Sequence, residues 1–361
     1  MTYTAGIIGT GGVAGMGLLG THDESKIGEE PVDASHAGGY ARNDDIELVA
    51  AADIDTEQLA TFGDVWDIPP DRRYEDHQAM LAAEDLDVVS VATPTFLHHE
   101  HVCDAAWSSA APDAIWCEKP IASSVADAEE MVGVCEERGV ELVINHTTRF
   151  TDNMARVQEL IADGLIGDIE AASGVFRMEL MRNSTHLIDT LVFLLDARAS
   201  RVSGYLTGEN EAVDALDAST PVDDQGGGGF VVLDDGSFVT IDCTVPRDHS
   251  TYQYDLVGSE GKLRINVNDG DWQYWELTED GHQPADLPGV SPDPDEWADG
   301  FAEAVDHLVA LVKGSATNRS PGTAAVRSLE IIVGFYISEY TGSHVEIPLA
   351  DPLKDVTVTS W

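Results

Sequence analysis

Five short, mainly apolar runs punctuate the first 150 residues: "TYTAGII" (2–8), "IELVAAA" (46–52), "LDVVSVA" (86–92), "DAIWC" (113–117) and "VELVI" (140–144). A strand wetted on one face alternates apolar and polar residues. These runs do not keep that alternation, so both of their faces are predicted to be buried. "TFLHHEHVCDAAWSS" (95–109) and "SVADAEEMVGVCEERG" (124–139) read as helices between the later runs. Strands alternating with helices predict an α/β fold with a parallel, doubly wound sheet, whose ligands lie at the carboxyl ends of the strands.

The pattern changes after Phe150. "DNMARVQELIADGLIG" (152–167) is an amphipathic helix closed by Gly164 and Gly167. Strand-like runs follow at 168–180, 200–208, 228–246, 251–267 and 271–280, with "DDG" and "SEG" as hairpin turns. "THLIDTLVFLL" (185–195) interrupts them as a helix, and two more helices, 294–314 and 321–342, close the chain. This half reads as an α+β domain with a mostly antiparallel open sheet. "DALDASTPVDDQGGGG" (214–229) reads as a flexible loop between strands. The expected division is 1–148, 149–349 and a tail at 350–361.

Composition narrows the partners. At 361 residues and 43% hydrophobic content, two domains with real cores are expected. Nineteen basic against 66 acidic residues give a net charge of −47, spread along the whole chain. Such a polyanion repels nucleic acid and anionic membranes, and suits a surface adapted to high salt, where screening removes the self-repulsion. A halophilic, cytoplasmic protein is the expectation. Cys103, Cys117, Cys135 and Cys243 form no C-x-x-C pair and read as reduced thiols. No basic, apolar leader opens the sequence, and no window approaches the ~18 apolar residues of a membrane span.

The candidate chemistry begins at the first strand end. In "GIIGTGGVAG", Gly9, Gly11 and Ala14 fill a G-x-G-x-x-G/A pattern, with Thr10, Gly12 and Val13 between them. Gly9 permits the tight turn, Gly11 lets the backbone approach a pyrophosphate, and Ala14 allows close packing of helix on strand. Backbone N–H groups at the helix start would hold the anion, which suits a chain so poor in Lys and Arg. Asp53 ends the second run and is placed to accept hydrogen bonds from ribose hydroxyls. Its spacing from the glycines exceeds the usual ~20 residues because of a polar insertion at 21–44, read as a loop plus a short helix. With Ile54 beside it and no adjacent arginine, Asp53 favours NAD over NADP.

Thr93, Pro94, Glu118, Lys119 and His146 also fall at strand ends. "HHEHVC" places His98, His99, His101 and Cys103 within six residues. Successive helical positions point about 100° apart, so these side chains cannot converge on one metal ion. A place for His98 beside the cofactor is the better reading.

"GIIGTGGVA", "VATPTFLHHEH", "CEKPIA", "LIADGLIGDI", "THLIDTLVFLL", "DLVGSEGKL" and a closing "HVEIPL" occur in an order that resembles the Gfo/Idh/MocA oxidoreductases across residues 3 to 349. That family includes glucose–fructose oxidoreductase and inositol dehydrogenases. The resemblance implies an N-terminal Rossmann domain and a C-terminal sheet domain, with NAD(P) and a sugar-like substrate. It also implies a homodimer or homotetramer joined through the open sheet. It places Lys119 of E-K-P by nicotinamide and substrate, matches His186 to the family's D-x-x-x-H histidine, and puts Thr93, Pro94 and His98 near the cofactor. One position departs: Arg182 stands where the family has the aspartate, four residues before His186.

Hydride transfer from a secondary alcohol needs a base for the hydroxyl proton. His186 titrates near neutrality unaided and is assigned as that base. Lys119 would polarise the oxygen or share the proton, and Asp189, one turn along, would orient the imidazole. A helix-capping His186 and a Lys119 paired with Glu118 are the structural alternatives. Glu118 reads as a cofactor-side or positioning group. Arg182 would pair with a uronate or onate, or equally with one of the chain's own acids. Asn183 and Arg149 complete the candidate substrate contacts. Two other functions stay open: a redox-neutral, NAD-retaining glycosidase or lyase, and a binding protein impaired in catalysis.

Overall fold

The computed structural model describes residues 2–16, 33–208, 210, 216, 220, 222–249, 251–293 and 296–360. Residues 17–32, where the sequence reading continues the glycine-turn helix and places the first half of the polar insertion, lie outside them. The chain forms two compact units. The first comprises 1–122, 128–151 and 297–322, and the second 123–127, 152–296 and 323–361.

The first unit is built on six parallel strands: β1 (Tyr3–Ile8), β2 (Ile46–Ala52), β3 (Arg73–Tyr74), β4 (Val88–Val91), β5 (Ala114–Cys117) and β6 (Glu141–Ile144). Their order is β3-β2-β1-β4-β5-β6. The strand order reverses between β1 and β4, the place where doubly wound sheets bind dinucleotides. Helices α1 (His36–Ala41), α2 (Thr56–Val65), α3 (His77–Ala83), α4 (His98–Trp107) and α5 (Val125–Arg138) connect the strands. The abundant acids have a structural use at helix starts. Asp55 accepts from the N–H groups of Glu57 and Gln58 at 3.1 Å, and Asp76 from Gln78 N at 3.0 Å. The non-alternating runs are buried as expected: Val88, Val89, Val91, Ile115, Trp116 and Cys117 have no exposed surface.

The second unit carries α6 (Asp152–Ala162), β7 (Ile169–Arg177), α7 (Thr185–Leu195), β8 (Ala199–Leu206), β9 (Val222–Asp223), β10 (Gly227–Leu233), β11 (Phe238–Val245), β12 (Gln253–Gly258), β13 (Gly261–Asn266), β14 (Asp271–Thr278) and β15 (Gly281–Ala285). Helix α8 (Glu296–Val312), helix α9 (Gly322–Thr341), β16 (Val345–Glu346) and β17 (Val358–Thr359) end the chain. Nine strands form one sheet in the order β15-β14-β13-β12-β7-β11-β10-β8-β16. All neighbours are antiparallel except β7 and β11. One face is covered by α7 and α9. Helix α9 lies so close that a Cβ on Gly204 would sit 2.6 Å from Phe335 Cα. The other face keeps Phe230 and Phe238 at 57% and 54% exposure.

Three boundaries differ from the sequence expectation. Residues 297–312 of α8, placed by sequence in the second domain, belong to the first unit. There Phe301, Val305, Leu308 and Val309 pack with Val88, Trp116 and Phe150. The stretch 214–229 is not all loop, because Val222–Asp223 forms β9 and Gly227–Gly229 begin β10. Residues 350–361 do not behave as a tail: Val356 and Val358 are fully buried, and β17 pairs in parallel with β9.

Candidate functional site

The turn after β1 is fixed by Gly9. Its φ of +89° lies in the left-handed region, and a Cβ there would meet Ala92 O and Thr93 Cγ2 at 2.8 Å. A Cβ on Gly11, by contrast, would meet none of the described residues within 4 Å, which leaves the backbone here open to close approach among them. Gly12–Met16 form only a short helical turn that leaves helical angles at Gly15, while Ala14 is buried against Ile7 and Phe62. Val13 packs beside this cluster.

Asp53, at the end of β2, reaches the turn directly. Its Oδ2 accepts from Thr10 N at 2.7 Å, Thr10 Oγ1 at 2.9 Å and Gln58 Nε2 at 3.0 Å. Its Oδ1 accepts Asp55 N at 2.9 Å and has a second lone pair to offer. Open backbone at Gly11 and a carboxylate beside it fit a dinucleotide: the turn for the pyrophosphate, Asp53 for a ribose hydroxyl.

The loops after β4 and β5 are joined by His98. The buried ring lies between two carbonyls, with Nδ1 2.9 Å from Pro120 O and Nε2 2.8 Å from Thr93 O. Burial pulls its pKa below the ordinary histidine value, against the pull of those carbonyls and of Glu118. His98 therefore acts on the Thr93-Pro94 turn through that turn's backbone. His101 Nδ1 lies 3.1 Å from Thr93 Oγ1 and is pushed down to about 4 by burial and by the charges of His77 and His98. His99 instead turns toward Glu130, at 3.1 Å. Among the described residues no three His, Cys, Asp or Glu side chains gather as a metal site.

At the end of β5, Glu118 turns inward. It is 5% exposed, takes Asn145 Nδ2 at 2.5 Å, and lies 3.0 Å from His36 Nε2. His36 Nδ1 in turn meets Ser90 Oγ at 3.0 Å, which also bonds Tyr40 OH at 2.8 Å. Burial alone would raise the pKa of Glu118. The hydrogen bonds from His36 and Asn145, with the charges of His36 and Lys119, outweigh it and hold the carboxyl below its usual value. Lys119 follows in the chain, half-buried, and its charge acts on this fixed carboxylate. Cys117 is enclosed and its thiol is pushed well up by burial, the condition of an inert core residue.

His36 and Asn145 were not among the sequence candidates. Arg149, expected at the substrate, is interior to the first unit, and its Nη1 donates to Arg319 O at 3.1 Å.

In the second unit the β7–α7 loop and α7 hold the remaining candidates. His186, half-buried, lies in the first turn of α7. Asp189 is fully buried and accepts Ser328 Oγ at 3.1 Å. Asn183 is also spent on structure, its Nδ2 donating to Met178 O at 2.9 Å and Glu179 Oε2 at 3.2 Å. Arg182 is exposed, but its backbone is pinned. Asp224 accepts Met181 N and Arg182 N, each at 2.9 Å, and Tyr336 OH at 2.8 Å. Burial raises the pKa of Asp224 against these donors.

Two family profiles match this chain. One, described as oxidoreductase family, NAD-binding Rossmann fold, covers residues 4–146; the other, the C-terminal alpha/beta domain of the same family, covers 170–347. The chain belongs to the Gfo/Idh/MocA family. This Gfo/Idh/MocA protein is accordingly an oxidoreductase with an NAD-binding Rossmann domain. It is 28% identical over 344 residues to a D-apiose dehydrogenase of Paraburkholderia graminis, covering 87% of this chain and 86% of that one. Over a shorter stretch of 94 residues it is 39% identical to a 2,7-anhydro-N-acetylneuraminate hydratase of Mediterraneibacter gnavus, covering 26% and 24% of the two chains. Its fold is shared with an Agrobacterium radiobacter oxidoreductase solved with NAD+, L-tartaric acid and magnesium. The TM-score is 0.74 at 19% identity, covering 96% of this chain and 99% of that one.

Proposed function

We propose that this protein transfers a hydride between NAD and a secondary alcohol of a sugar, cyclitol or sugar acid. The contact of Thr10 with Asp53 carries the reading, because it sets a carboxylate beside the glycine turn where a dinucleotide needs both. Bound there, the nicotinamide supplies the hydride acceptor or donor. The chain must then move the hydroxyl proton. His186 is the base in this reading, since an imidazole changes charge near neutral pH. Lys119, backed by the buried Glu118, holds the reacting oxygen or shares its proton. Asp53, flanked by the 89% exposed Ile54 rather than an arginine, favours NAD over a 2′-phosphorylated cofactor. The dehydrogenase relative supports a sugar as the substrate class.

A second reading is favoured by the hydratase relative: a redox-neutral reaction in which the cofactor is reduced and reoxidised in one turnover. A panel of sugars, polyols and sugar acids with NAD and NADP separates the two. Growth of absorbance at 340 nm supports the dehydrogenase, and product without that signal supports the redox-neutral enzyme.

The acidic surface suits a halophilic, cytoplasmic setting. The open sheet face with Phe230 and Phe238 suits burial against a second copy, giving a homodimer or homotetramer. Neither nucleic acid nor membrane is a fitting partner for a chain of −47.

A further inference from the structure

The fourteen arginines of this acidic chain are not evenly placed. β7 and β11 are the parallel pair of the nine-stranded sheet, so their carboxyl ends fall together. Arg177 is the last residue of β7 and pairs in register with Val245, the last of β11; Met178 N donates to Val245 O at 2.7 Å. Arg247 follows two residues later and forms an ion pair with Glu179. Burial and the charge of Arg247, with a smaller push from Arg182, depress the pKa of Arg177, against the pull of Glu179 and Tyr252. Among the described residues, the Arg177 Nε is buried with no hydrogen-bond acceptor.

Glu179 is paired with Arg247 and also draws on Arg177, and guanidinium groups that repel one another at one strand end suit an anionic ligand. The surrounding loop is made rigid at some cost. Glu179 sits at φ +76°, a left-handed conformation that strains a non-glycine residue. Ser184 Oγ caps Arg177 O at 2.9 Å, and Asp224 pins the backbone of Arg182. His186 lies four residues beyond Arg182, in the same loop-to-helix segment.

We infer that Arg177, Arg182 and Arg247 form a binding site for the oxyanion of a sugar substrate, a carboxylate or a phosphate. The inference rests on the sugar-oxidising reading above and narrows its substrate class to anionic sugars.

The test is calorimetric titration of the NAD-loaded protein with D-glucuronate, D-glucose 6-phosphate and D-glucose at fixed ionic strength. Wild type, Arg182→Gln, Arg247→Gln and Arg177→Gln are compared, with absorbance at 340 nm followed in parallel. The expected result is at least one of the two anions binding wild type about tenfold more tightly than glucose, and the anion-to-glucose affinity ratio falling about tenfold in the variants. Which anion wins identifies carboxylate or phosphate. A wild-type ratio near one, or a ratio unchanged in Arg182→Gln and Arg247→Gln, overturns the site. These two exposed positions keep the test decisive if Arg177→Gln fails to fold. Neutral sugars oxidised while anions neither bind nor react would overturn the site and leave the dehydrogenase standing. Anions bound through the arginines with no nicotinamide signal from any sugar would do the reverse.

Discussion

The proton-transfer role proposed for Lys119 draws on its neighbour Glu118. A buried carboxylate held by His36 and Asn145 keeps a negative charge beside the ammonium, and the strand end keeps both in place. Lys119→Ala should lower kcat about 10²–10⁴-fold, the range for loss of a positioned proton-transfer group. Lys119→Arg should not restore it, because guanidinium does not give up its proton. Asp53→Ser should raise the KM for NAD about tenfold and narrow the preference over NADP, as loss of a charge-assisted hydrogen bond to ribose would. Steady-state kinetics with both cofactors check these two outcomes. At this scale the legible feature was the local place of a residue, not its role: Gly9 and Gly11 in a turn, Asp53 at a strand end, Lys119 before a proline. His36 and Asn145 were hidden because they lie 82 and 27 positions from the Glu118 they hold. The inward turn of Glu118 was hidden with them.

The β7–α7 loop is an element whose shape depends on one half-buried acid, Asp224. Asp224 takes two backbone donors and a tyrosine hydroxyl, so Asp224→Ala leaves Met181 N and Arg182 N without acceptors. The cost should be about 1–3 kcal/mol, read as a lower urea midpoint. The KM for substrate should rise as Arg182 loses its fixed backbone. Strand and helix periodicity marked most elements here, including α6, α7, α9 and the hairpins at "DDG" and "SEG". Two-residue strands such as β3 and β9 are too short to carry a period. The packing of α8 with β4 and β5 depends on contacts nearly 200 residues apart in the chain, between Phe301 and Trp116 for instance, which no local pattern encodes. β17 was missed for the same reason: its partner is Val222–Asp223.

Taken whole, the chain balances two opposite pH responses. His101 and His307 are both held to about 4 in the folded state against an ordinary 6.5. Burial is the main cause in each, with the charges of His77 and His98 added at His101 and that of Arg319 at His307. Between these values the unfolded chain binds more protons than the folded one, so their contribution, complete above pH 6.5, is lost as pH falls toward 4. Acid also neutralises the repulsion of 66 carboxylates, which favours the compact state. The contribution is therefore read as a difference. Melting temperatures of His101→Gln should fall less than those of wild type between pH 6.5 and 4, and equal slopes would remove His101 from the account. The same charge predicts loss of stability in low salt, checked by melting at two salt concentrations.

The reaction proposed is oxidation of a sugar-like alcohol by NAD bound between Gly9–Gly11 and Asp53. Absorbance at 340 nm, recorded for wild type and Lys119→Ala with NAD across a panel of neutral and acidic sugars and polyols in high salt, tests it most directly. The expected result is a rise with at least one compound in wild type and its loss in the variant. No rise from any compound in a folded protein that binds NAD, or an equal rise in both proteins, would contradict it.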